Sequence, residues 1–198
     1  MPKGVLGTVL ACCALLPAIG MAQPSSKPQP QLSYTYVELS YDESDFDVAG
    51  ARNVDGDGFT LAGSFRINDD WHAVASYGKD DLDFGINLRT WEIGAGYRYP
   101  VRDNVDLYGR VLYIRRNGNL GGPLNGDDDG LGLQFRVRGR LNQRVELEGG
   151  VQYFDVGRTD TSLQGSARYH FTKQLSAAVG LTLLGDHDGI GVSARYSF

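Results

Sequence analysis

Three groups of residues have the types and spacing that chemistry needs. Asp186-His187-Asp188 flanks an imidazole with carboxylates, and Asp80, Asp81 and Asp83 add a second acidic cluster. Such groups can supply a general base and activate water for hydrolysis. The second group is a set of charges at alternate positions within apolar-polar segments: Glu38, Arg66, Glu92, Arg110, Arg136, Arg138, Glu146, Glu148 and Arg168, with Gln134 and Gln152 among them. Opposite charges on one face of paired strands can neutralise one another where water is scarce, or line a path for small solutes. The third group is acidic, with 16 of the 24 Asp and Glu residues lying in the intervening segments between Asp42 and Asp188. Carboxylate oxygens suit divalent cations, so these segments are possible sites for Ca²⁺ or Mg²⁺, although their spacing matches no EF-hand.

Each group also has a plainer reading. Aspartates beside a histidine are common in solvated turns, and His72 and His170 occupy ordinary strand positions. There is no Ser-His-Asp spacing, Gly-rich phosphate loop or metal-ligand cluster in the chain. The expectation is therefore non-enzymatic, with no catalytic residues, no cofactor and no specific metal site. An outer-rim hydrolase based on His187 is the least favoured alternative.

The elements that hold these residues are strands. From Leu32 onward the chain alternates with a period of two, as a half-buried strand does. Leu32 to Tyr41 sets Val37 and Leu39 against Tyr36 and Glu38. Gly58 to Ile67 sets Phe59, Leu61 and Phe65 against Thr60, Ser64 and Arg66. The pattern recurs at Trp71 to Lys79, Trp91 to Tyr99, Val105 to Tyr113, Gly130 to Leu141, Val145 to Tyr153, Leu163 to Phe171, Leu175 to Leu184 and Gly189 to Phe198. Turns at Asn68, Pro100, Asn142 and Thr172 are short, while the segments at Asp42 to Asp57, Asp80 to Asn87, Arg116 to Asp129, Asp155 to Asp160 and Gly185 to Asp188 read as acidic loops.

Ten such segments of about nine to eleven residues predict a closed antiparallel up-and-down β-barrel that crosses a membrane, with eight strands as the alternative count. Aromatics recur at one rim in Phe65, Tyr97, Tyr99, Tyr169, Phe171, Tyr196 and Phe198, as an interfacial girdle requires. A soluble barrel with an apolar interior is the competing fold. The even strand count, the girdle and the one-sided acidic segments favour the membrane form, whose lumen takes the polar face.

Residues 1–22 read as a secretory signal, with Lys3 before an apolar run from Val5 to Ile19 and small residues ahead of Gln23. Cleavage there removes Cys12 and Cys13, so disulfides and Cys metal sites are excluded from the mature chain. It also removes Lys3, leaving 18 basic residues against 24 acidic ones. That balance disfavours nucleic acid as a partner. Residues 23–31, rich in Pro and Ser, read as a flexible lead-in to a barrel over 32–198.

The last stretch, GIGVSARYSF, places Ile190, Val192, Tyr196 and Phe198 on one face. It resembles the C-terminal assembly signal of bacterial outer-membrane barrels, with Ser193 where a glycine is common. The resemblance implies export, the bacterial outer membrane as location, and the barrel-assembly machinery, membrane lipid and lipopolysaccharide as partners. The whole mature stretch resembles the OmpA/OmpX-like group of small barrels. More narrowly, YTYVELSY (34–41), GDGFTLAGSF (56–65) and WEIGAGYRY (91–99) resemble barrels associated with quorum sensing or diffusible signal factors. That resemblance implies an envelope, adhesion or signalling role through acidic outer segments, with a narrow channel as the alternative. The ten-strand count also resembles outer-membrane proteases, but this chain is much shorter.

Overall fold

A computed structural model describes residues 32–46, 54–119, 125–183 and 187–198. Ten antiparallel strands form a closed barrel: β1 (Tyr36–Phe46), β2 (Val54–Arg66), β3 (Trp71–Leu82), β4 (Ile86–Arg102), β5 (Val105–Asn119), β6 (Asn125–Arg140), β7 (Val145–Val156), β8 (Arg158–His170), β9 (Leu175–Leu183) and β10 (His187–Ser197). Each strand pairs with its sequence neighbour, and β1 pairs with β10 to close the ring. The expected signal and lead-in, residues 1–31, lie outside the described residues.

The alternation expected from sequence sets the wall. Even-numbered residues face the lumen through β9, and odd-numbered ones do so in β10, where Arg195 lies opposite Glu38. The outward face is apolar and exposed: Phe65, Ile93 and Phe135 each keep more than 60% of their surface (64%, 63% and 61%). The buried set, by contrast, is rich in Arg, Glu, His and Ser. A soluble barrel would have the reverse arrangement, so the apolar face is the lipid face.

Two aromatic belts bound that face. At the end holding the short turns, Trp71 packs on Tyr97 (5.2 Å), Tyr169 on Phe171 (5.2 Å) and Tyr196 on Phe198 (5.1 Å). At the other end Tyr41 meets Phe59 (4.9 Å) and Tyr77 meets Trp91 (4.4 Å). Three of the short turns share one device. The side chain of Asn68, Asn142 or Thr172 accepts hydrogen bonds from the backbone N–H groups two and three residues on. This locks the reversal without a loop.

The strands differ from the sequence reading at both ends. Most of the residues read as acidic loops continue the ladder: Asp42, Glu43 and Asp45 in β1, Asp55 and Asp57 in β2, Asp127 to Asp129 in β6. Beyond the outer aromatics both strand faces meet water, so alternation disappears. The backbone groups still need partners, and pairing persists. The β7–β8 reversal is correspondingly tight, turning on Gly157 at φ +68°, a conformation that disfavours a side chain.

At the inner end, Leu32 to Thr35 are not strand. Leu32 and Tyr34 are buried in one cluster with Tyr108, inside the barrel mouth. An alternating segment that enters the lumen has the same sequence signature as one that joins the wall.

Candidate functional site

Every residue expected in the lumen charge set occupies an inward position, and the structure divides that set into layers. Nearest the inner mouth, Glu146 is almost fully buried and gathers three arginines and a histidine from three strands. Arg138 Nε lies 2.7 Å from Glu146 Oε1, His170 Nε2 lies 3.0 Å from Oε2, Arg140 Nε is at 3.6 Å and Arg195 Nη1 at 3.9 Å. Such a group is tolerated away from water only because its partners are fixed around it.

The N-terminal segment caps this layer. Arg138 donates to the carbonyl of Ser33 (2.8 Å), Arg66 to that of Leu32 (3.4 Å), and Ser64 to that of Tyr34 (2.7 Å). The Tyr34 hydroxyl donates to Asp106 (3.1 Å), which also pairs with Arg98 Nε (2.6 Å). The Tyr34 ring lies under two guanidinium groups, Arg138 at 5.3 Å and Arg98 at 5.7 Å. Backbone and ring together occupy the inner mouth.

The middle layer joins opposite walls. Glu148 accepts from Arg136 (2.8 Å) and from the Tyr108 hydroxyl (2.7 Å), and Glu38 accepts from Arg195 Nε (2.6 Å) and from Arg168. Arg110 is held by neutral groups: His72 Nε2 (3.1 Å), the Tyr36 hydroxyl (3.3 Å) and the Tyr108 ring (4.7 Å). Among the described residues no carboxylate comes within salt-bridge distance of it. Glu92 likewise stands outside the ionic layers, accepting from Ser76 (2.9 Å).

Above this layer lies a cavity of about 460 Å³, with Tyr36, Arg110, Gln134 and Arg136 in its lining and Asp42, Ser44 and Asp80 towards the outside. Part of the upper lumen is instead filled by an apolar cluster of Leu112, Ile114 and Val156 with Val74 and Phe154. The sequence set missed that cluster and also Arg98, Asp106, Arg140, Arg195, His72 and His170. All of them have lumen parity, which was the signal available; only their pairing was not.

The other chemical candidates do not assemble as a site. Asp80 faces the lumen mouth while Asp81 points outward to Lys79 Nζ (2.7 Å), because neighbours on a strand face opposite ways. Asp186 and the His187 side chain lie outside the described residues. No group of three or more metal-ligating side chains occurs among the described residues.

Acidic residues beyond the outer aromatics do meet in pairs. Asp55 lies across the ladder from Asp45, whose hydrogen bond and charge raise its pKa. Asp80 leans over Gly58, opposite it in the ladder. Burial, and then the Asp42 carboxylate, push Asp80 from 3.8 up to about 6, against the pull of Arg116. Its folded pKa thus exceeds the unfolded one. Stability is intact below the unfolded value and is lost as pH rises through about 6. Asp80→Asn should therefore stabilise the barrel at pH 8, by about 1 kcal/mol after screening, and have no effect near pH 4. Urea midpoints at the two pH values test this; an equal gain at both would refute it.

Residues 11–181 match the outer membrane protein beta-barrel domain family, and the chain belongs to that family. It is a bacterial outer-membrane protein. No curated protein matches the sequence. Among solved structures it is similar to a KdgM porin in complex with disordered oligogalacturonate, at 10% identity and TM-score 0.48, over 82% of this chain and 99% of that one. It is also similar to neisserial surface protein A, NspA, at 16% identity and TM-score 0.47, over 84% of this chain and 98% of that one. Ail of Yersinia pestis aligns at 14% identity and TM-score 0.42, over 84% of this chain and 99% of that one. The narrower resemblance to quorum-sensing-associated barrels has no counterpart in these comparisons.

Of the residues expected in the C-terminal signal, Ile190, Val192 and Tyr196 lie on the closing strand and Phe198 directly follows it. Ile190, Val192, Tyr196 and Phe198 all face outward, and β10 is paired on both edges. Phe198 donates its backbone N–H to the carbonyl of Thr35 (3.1 Å), beside the segment that enters the lumen.

Proposed function

We propose that this protein is a non-enzymatic barrel that serves the envelope through its outer rim and not through its lumen. The role is structural, adhesive or signalling-associated, and the acidic strand ends make contact with the surroundings. One observation carries this reading: the inner mouth is occupied by Leu32 to Thr35, bonded to Arg138, Arg66, Ser64 and Asp106. Buried charges held by fixed partners, as Glu146 and Glu148 are, stay in place and act as a plug.

The test is conductance of the refolded barrel in a planar bilayer, after heat-modifiable gel migration has shown that it is folded. A silent membrane is expected. Discrete openings that change with Arg110→Gln would instead favour a narrow channel, the reading suggested by the polar cavity above Arg110. In cells, replacing Asp45, Asp55 and Asp57 with Asn should alter attachment to surfaces while leaving the barrel folded. Unchanged attachment would remove the rim from consideration.

A further inference from the structure

Just beyond the outer aromatics, the outward positions are not uniformly acidic. On β3, β4 and β5 the aromatics Tyr77, Trp91 and Tyr113 are followed, at the next outward position towards the outer end, by Lys79, Arg89 and Arg115. The same position after Tyr41, Phe59, Leu131, Tyr153 and Ile190 holds Glu43, Asp57, Asp129, Asp155 and Asp188. Five of the ten strands thus carry an acid at this level, β8 and β9 carry Thr161 and Leu183, and the three cations fall together on adjacent strands.

Their placement is unfavourable if nothing anionic lies between them. Lys79 and Arg89 are direct cross-strand partners, and Arg115, opposite Trp91, is diagonal to Arg89. Like charges so placed repel. The protein offsets this only weakly. Lys79 pairs with exposed Asp81, Arg115 reaches exposed Asp127 at 3.6 Å, and Arg89 forms no ion pair among the described residues. Exposed pairs of this kind contribute little.

On the lipid side of these cations is a groove of about 580 Å³. Gly63 and Ala75, opposite one another in the ladder, form a low floor between the larger Val37, Leu61, Ile93 and Tyr113. Tyr77 and Trp91 border it, and Arg115 lines it as well. From the membrane outward the order is apolar groove, aromatics, cations. An amphiphile with an acyl chain and a phosphate has the matching order.

We propose that this strip binds one acylated, phosphorylated lipid of the outer leaflet, with its chain in the groove and its phosphate among Lys79, Arg89 and Arg115. The site is on the barrel's exterior and does not depend on whether the lumen conducts.

Native mass spectrometry of the detergent-refolded barrel with added lipid A tests it, with dephosphorylated lipid A and inorganic phosphate as comparison probes. Wild type should retain one lipid A, and the K79Q/R89Q/R115Q variant should bind it about tenfold more weakly. A control R102Q/K173Q variant at the opposite rim should bind like wild type, and heat-modifiable migration should show both variants folded. Equal retention by the triple variant, equal retention of the dephosphorylated lipid, release by an equal concentration of inorganic phosphate, or a dimer that forms in place of the lipid complex would each overturn the proposal.

Discussion

Replacing Glu146 with leucine should lower the unfolding free energy by about 3–5 kcal/mol, the cost of leaving buried cations without their counter-charge. Glu146 is 1% exposed and Arg138 is 3% exposed, so water can do little to compensate. His170 and Arg140 lose the same acceptor, and Arg195 loses part of its field. The paired change E146L/R138L should recover only part of the loss, because it removes both members of the 2.7 Å pair while Arg140, Arg195 and His170 still lack their acceptor. Urea unfolding in lipid vesicles, followed by gel migration, measures both. A single variant that unfolds at the wild-type midpoint would mean that the inner layer is hydrated and its charges carry no structural weight.

The L32A/Y34A double variant should turn a silent barrel into one that opens in a bilayer. Tyr34 is the ring beneath Arg98 and Arg138 and the donor to Asp106, and Leu32 packs beside it. Without these two side chains, the inner mouth loses its filling while β1 keeps its ladder with β2 and β10 from Tyr36 onward. Stepwise currents in the variant alone would identify the segment as the seal. Silence in both would place the seal in the side-chain layer around Glu146, and currents in both would refute the closed-lumen reading.

How far the sequence reveals this arrangement depends on what each feature rests upon. The parity of the lumen was legible because lipid on one side and polar packing on the other enforce a strict period of two. That period assigns Glu38, Arg110, Glu146 and Glu148 to one face, the face on which the structure has its buried polar residues. It could not say that Glu38 would meet Arg168 and Arg195 while Arg110 would meet only neutral groups, because those contacts depend on how the ring closes. Nor could it distinguish Leu32 to Thr35 from wall strand, since both alternate. The outer strand ends, such as Asp127 to Asp129, were unreadable for the opposite reason. With water on both faces, no hydrophobic pattern remains to mark a backbone ladder.

The closed ring also determines how the chain can be assembled. Nine of the ten seams join consecutive strands, each across a local reversal, and several of those reversals are clasped by a single side chain. Only the β1–β10 seam joins distant parts of the chain, bringing together Glu38 and Arg195, 157 positions apart. The entropic cost of long-range loop closure is thus concentrated at one seam. Until it zips, two unsatisfied edges stand open to any extended neighbour. The strand that closes the seam is β10, so both edges stay exposed until the last strand of the barrel is in place.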